Sequence, residues 1–166
     1  MRVFSALVIT ATLTTSAAAE LKVQFLEGAP KDRFVITNTG VCDLAASNLL
    51  IDLSGSPYGL IFDVSNQGAG VEVFQPLEFT NGRQMLKAVP QVKDGDNKIA
   101  LDLKGLKAGA KVAFTIDIDD TAKNREITVS NSEFLGAAVE LQTGGTVTQS
   151  AFNAKATALI KQPNCS

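Results

Sequence analysis

Apolar and polar residues alternate with a period of two along most of the chain, and no stripe of period 3.6 persists beyond a turn or two. Successive side chains of a strand point to opposite faces, so this pattern suits half-buried strands and opposes helices. Leu21, Val23 and Phe25 fall on one face of "LKVQFL", and Phe34 and Ile36 on one face of "RFVITNTG" before the turn residues Asn38-Thr39-Gly40. Leu49, Ile51 and Leu53 align with Asp52 opposite, and "GLIFDVSN" follows the breaker "SGSPYG". "GVEVFQPLEF" alternates up to Pro76, which predicts an edge position or a bulge there.

The later half continues in the same style. Ile99, Leu101 and Leu103 align, "KAGA" turns the chain, and Val112, Phe114, Ile116 and Ile118 then face one way. "REITVSNSEF" and "GAAVELQ" read as strands, "TVTQSAFNAKATALIK" as one or two more, and "QMLKAVPQV" as a further strand limited by Pro90. The alanine-rich stretch 151–160 also fits a short helix. About nine or ten short strands with frequent turn signals predict an all-β fold, an antiparallel Ig-like β-sandwich with one face of each sheet buried. "IALDLKGLKAGAKVAFTI" has the form of a crossing from one sheet to the other. Phe25, Phe34, Phe62, Phe74, Phe79 and Phe114 occupy alternating positions and are expected in the core.

Arg2, the apolar run "VFSALVITATL" and the small residues Ala17 and Ala19 match an export signal, which is expected to occupy residues 1–19 and to be removed. The run is too short for a bilayer span, which takes about 20 apolar residues. The remainder, residues 20–166, is read as a single domain without a transmembrane segment, located in the periplasm or secreted. Setting Arg2 aside from the 15 basic residues leaves 14 against 17 acidic, a net charge of −3 with no basic face, so nucleic acid is not an expected partner. In an oxidising compartment, Cys42 and Cys165, the two cysteines of the chain, are expected to form one disulfide.

The chain has no histidine and no tryptophan, and one tyrosine. No nucleophile–histidine system and no histidine-ligated metal site can therefore be built, and metal binding would rest on oxygen ligands, which suit calcium or magnesium. "FTIDIDDT" concentrates Asp117, Asp119 and Asp120 at the end of an apolar alternation. With Ile116 and Ile118 in the core, Asp117 and Asp119 share the other face, about 6.6–6.8 Å apart. Two readings stay open: a calcium site formed by Asp117, Asp119, Asp120 and Glu72, or carboxylates solvated at a strand end. Asp52 and Asp63 are further acids whose positions bear on the choice, whereas Asp94 and Asp96 in "KDGDNK" read as turn residues. A carboxylate hydrolase would use Asp117 and Asp119, but the aromatic platforms that stack sugars are scarce.

"ITNTGVCDL", "IDLSGSPYGLIFDV", "GAGVEVFQP" and "FTIDIDDT" resemble segments of small exported bacterial proteins of the aggregation factor core family, named after the core of a sponge cell-aggregation factor. The resemblance spans most of residues 20–166. It implies an extracytoplasmic β-rich protein of cell adhesion or aggregation, a process that depends on calcium in the sponge system, and it carries over no site residues. The expectation is a non-enzymatic exported protein that meets a cell-surface protein or glycan. The alternative is a periplasmic carbohydrate- or small-ligand-binding module.

Overall fold

The computed structural model describes residues 19–28, 31–65, 74–122 and 128–162. Among them are eleven strands: β1 (Ala19–Leu26), β2 (Arg33–Asn38), β3 (Ser47–Asp52), β4 (Ile61–Asp63), β5 (Glu78–Asn81), β6 (Lys98–Leu103), β7 (Lys111–Thr115), β8 (Asp117–Asp119), β9 (Ala138–Thr143), β10 (Thr146–Ala151) and β11 (Thr157–Gln162). They form a five-stranded sheet in the order β11-β1-β2-β7-β5, a four-stranded sheet in the order β10-β9-β3-β6, and a two-stranded ribbon of β4 and β8. All pairings are antiparallel. The architecture is the expected all-β sandwich.

The two large sheets bury one face each against the other, and the alternation in the sequence sets which face. In the four-stranded sheet Leu49 lies opposite Leu101 and Leu141, and Ile51 opposite Ile99 and Val139. In the five-stranded sheet Phe25 faces Phe34, Phe34 faces Phe114, and Phe114 faces Phe79, a row of four rings across four strands. Their centroids lie 5.3–5.5 Å apart in tilted pairs, the range in which ring quadrupoles attract. Phe134 sits over this row, stacked on Phe25 at 4.2 Å and edge-on to Phe152 at 5.2 Å.

The chain passes from β6 to β7 by changing sheets, as the "LKGLKAGAK" crossing predicts. Leu106 within the crossing exchanges backbone hydrogen bonds with Leu44, 2.8 and 3.0 Å long. The buried Asn38 amide donates to the carbonyls of Leu106 and Cys42 and accepts from Gly40 N–H. A buried amide so fully bonded fixes the corner. Cys42 lies in this corner, while Cys165 and hence the expected disulfide fall outside the described residues, as does the leader except for Ala19.

Several expectations change. Residues 84–92 do not form a strand: Arg83–Met85 is a 3₁₀ turn, and Leu86 makes a single bridge to Leu103. The end of "REITVSNSEF" is likewise a 3₁₀ turn, Asn131–Phe134, where Glu133 reaches back to accept the Ser130 N–H at 2.6 Å. "SNSE" carries that capping pattern, which outweighs the local alternation. The helical alternative for 151–160 is replaced by a turn and β11. In "GVEVFQPLEF" residues 70–73 lie outside the described residues, and residues 74–77 are not strand. Here β5 begins only after Pro76, at a sheet edge, with its register shift between Phe79 and Asn81. Phe74 is accordingly half-exposed, not core.

Truncating Phe134 removes contacts with rings of β1 and of the β10–β11 connection at once. Phe134→Ala is expected to cost about 3–5 kcal/mol, read as a lower midpoint in urea denaturation. A loss under 1 kcal/mol would show that the sheets close without this ring.

Candidate functional site

Where β7 ends, the chain changes partners. The Ile116 N–H donates to the Asp32 carbonyl at 3.2 Å and the Asp117 N–H to the Gln75 carbonyl at 3.3 Å. Beyond them β8 pairs with β4, with Ile61 opposite Asp119, Phe62 opposite Ile118, and Asp63 opposite Asp117. Phe62 and Ile118 enter the core, fully buried. Alternation therefore places Asp63, Asp117 and Asp119 together on the other face of the ribbon. Directly opposed residues have Cβ atoms about 4.5–5.5 Å apart, which brings Asp63 and Asp117 side by side.

That face is not wet. Relative exposure is 1% for Asp63, 1% for Asp119 and 9% for Asp117. The solvated reading of the aspartates is thus overturned. Asp32, at the entry to β2, joins them: it is 7% exposed, and its carboxyl accepts the Gly28 N–H at 3.3 Å. Its charge interacts with both Asp117 and Asp119. Four carboxylates from three parts of the chain thus share one desolvated region.

The consequences appear in their acidity. Burial, followed by the charges of Asp119, Asp32 and Asp63, pushes Asp117 up to about 7. Burial also raises Asp32 to about 7, against the backbone N–H groups near it, Gly28 first, that favour its charged form. Burial and then the neighbouring Asp119 raise Asp63 to about 6. Loss of water and mutual repulsion both disfavour ionisation. Neither oxygen of Asp63 has a hydrogen-bond partner among the described residues.

The ends of the ribbon are held by backbone. Asp94 accepts the Val64 and Ser65 N–H groups at 2.7 Å each, and the Ser65 hydroxyl as well. Asp96 accepts the Lys93 N–H, and its carbonyl accepts from Phe62 N–H. These two acids shape a turn, in line with their reading from the sequence. At the opposite end the Tyr58 carbonyl accepts from the Thr121 and Ala122 N–H groups, and the Thr121 hydroxyl donates to the Gly59 carbonyl. A Cβ on Gly59, whose φ is +64°, would stand 2.3 Å from that hydroxyl, so glycine is required.

Of the residues predicted as calcium ligands, Asp117 and Asp119 come together and Glu72 lies outside the described residues. Asp120 is buried just past the end of β8. Asp52 lies elsewhere: despite partial burial, hydrogen bonds from Lys98 and Ser54 hold its carboxyl below the usual range. Asp32 and Asp63 complete the group. Asp63 was visible as a strand-end acid, but nothing in the spacing of Asp32 signals its place. Among the described residues no three acidic side chains are already gathered around one point as a metal shell. Asp63, Asp117 and Asp119 share a face of the ribbon, and the charge of Asp32 acts on Asp117 and Asp119 from outside it. No family model matches the chain, and no curated protein sequence matches it.

Without a bound cation the cluster makes the fold acid-favoured. Asp32, Asp63 and Asp117 have folded pKa values of about 6–7, above an unfolded value near 4. The folded state therefore binds more protons between these limits, and stability falls as pH rises from about 4 to 7. In chelator, the melting temperature is expected to be about 5 °C higher at pH 5 than at pH 7.5, for a net effect on the order of 1–2 kcal/mol. Thermal denaturation at the two pH values checks this, and a lower melting point at pH 5 would contradict it.

Proposed function

We propose that this is a non-enzymatic exported β-sandwich protein that mediates contact at the cell surface, adhesion or aggregation, and that a calcium ion held at the aspartate cluster supports this role. The observation that carries the metal part is Asp63, excluded from water with both oxygens free of hydrogen bonds and facing Asp117. Burying like charges without compensation is costly, so such carboxylates must hold protons or meet a cation. Near neutral pH a divalent ion answers the charge of several acids together. The donors are all oxygens, and calcium takes six to eight of them at 2.3–2.6 Å in irregular arrangements.

The resemblance to the aggregation factor core family supports the adhesion part, and the leader-like N-terminal stretch supports export. Export would also place Cys42 and Cys165 where a disulfide forms. The hydrolase reading is the weaker one, because Asp117 and Asp119, the two acids it would use, are buried and so shielded from a substrate.

A second reading, a small-ligand-binding module, has a specific place. A groove of about 340 Å³ is lined by Leu44, Met85, Leu106, Asp43, Lys104 and Lys107. It has no aromatic ring for sugar stacking, so a compact apolar or anionic ligand suits it better than a glycan.

Calcium at 100 times its dissociation constant stabilises the folded state by about 2.7 kcal/mol. A melting-temperature rise of several degrees is therefore expected in millimolar calcium at pH 7.5, and Asp63→Asn is expected to abolish it. No rise in the unaltered protein would sink the metal part. Calcium-dependent clumping of cells or coated beads by purified protein tests the adhesion part. Dispersed particles at all calcium concentrations would refute it.

A further inference from the structure

We propose that the outer edge of β10 pairs with β10 of a second copy of this chain, antiparallel about a two-fold axis at Gln149. Its purpose rests on the surface-contact reading, but the pairing itself needs neither calcium nor export. β10 ends the four-stranded sheet and has β9 on one side only. Gly144 and Gly145, with φ of 53° and 85°, turn the chain between Thr143 and Thr146, the first pair of the hairpin. The ladder runs on to Phe152, whose N–H donates to the Ala137 carbonyl at 3.0 Å. Residues that bond to the partner strand alternate with residues that do not. Thr146, Thr148 and Ser150 therefore direct their backbone groups to β9, in step with Phe152. Val147, Gln149 and Ala151 direct theirs outward, where no backbone bond from a described residue meets them.

An outermost strand is a template for another chain unless charge, proline, a bulge or a cover protects it. The other three sheet ends have such protection. β11 carries Lys161, and β5 carries Glu78 and a register shift, with Pro76 just ahead of it. β6 carries Lys98 and Asp102, and its outer side is bonded to Met85 and Lys87. β10, with the sequence TVTQSA, has no charge, no proline and an unbroken register with β9, and Val147 is 54% exposed. A second copy suits this edge. With the axis at Gln149, that residue meets its own counterpart and Val147 meets Ala151 of the second copy. Each outward residue then exchanges both of its backbone bonds, and no like charges face each other across the axis. A contact between two six-residue strands is smaller than the roughly 1,200 Å² at which stable interfaces begin. The dimer is therefore weak in solution and gains strength where many copies are displayed together.

Sedimentation equilibrium of the full chain in chelator, from micromolar to millimolar concentrations, is expected to show monomers in equilibrium with dimers. The double variants Val147→Lys with Ala151→Lys, and Val147→Glu with Ala151→Glu, bring like charges face to face across the axis. Their neighbours on β9, Gln142 and Ala138, are uncharged. Each double variant is expected to weaken the dimer about 10-fold or more, and an equimolar mixture of the two to restore it. Asp102→Asn, on the β6 edge and in an ion pair with Lys87, is expected to match the unaltered chain. Circular dichroism checks the fold of each variant. Hydrogen exchange of the Val147, Gln149 and Ala151 N–H groups is expected to slow as concentration rises, while that of Thr148 and Ser150 stays unchanged. A chain that remains monomeric at millimolar concentration refutes the pairing, and so does a dimer that both double variants leave intact. A dimer that forms while coated particles stay dispersed overturns the surface-contact reading and leaves the pairing standing. Particles that clump through a chain that never dimerises do the reverse.

Discussion

The row of rings Phe25, Phe34, Phe114 and Phe79 is the contact on which the rest of this molecule depends. Each ring comes from a different strand of the five-stranded sheet, so the row sets the register of β1, β2, β7 and β5 together. Phe134 covers it and carries the packing on to Phe152. Burial of large aromatic side chains supplies the greatest apolar area per residue, and tilted ring pairs add directional attraction. A one-residue slip in any of these strands would send its phenylalanine to solvent.

Fixing the register of β7 also fixes what lies beyond it. Ile116 and Ile118 continue the buried face of β7, so Asp117 and Asp119 must fall on the opposite one. In most antiparallel sheets that opposite face is wet. Here Asp32 and β4 bring further acids to it, and the face is desolvated while rich in negative charge. The same apolar packing that stabilises the sandwich thus creates an electrostatic demand at its margin. The surface ion pairs Lys31–Glu78, Lys87–Asp102 and Lys98–Asp52 involve other carboxylates and contribute little to stability.

Much of the fold was legible because strand alternation is local and leaves its mark on every second residue. The crossing from β6 to β7 was legible too, since glycines and alanines between two leucine-rich runs mark a turn. Short turns that bury one residue were harder. Phe134 lies in an alternating stretch yet belongs to a 3₁₀ turn set by the Ser130–Glu133 contact. Phe74 alternates with its neighbours, but the strand begins only after Pro76, whose missing N–H cannot join a ladder, while Gln75 before it bonds to Asp63 and Asp117 of the ribbon instead.

The sequence by itself determined an all-β chain, which residues of most strands face the core, and that Asp117 and Asp119 share a face. It also limited metal ligation to oxygen, through the absence of histidine. Only the tertiary structure decided that this face is buried, that Asp63 lies across from Asp117, and that Asp32 reaches the same region. The reason is physical: side-chain direction follows from backbone period, which is written locally. Desolvation and the meeting of charges depend on segments far apart in the chain, and no local pattern encodes their approach.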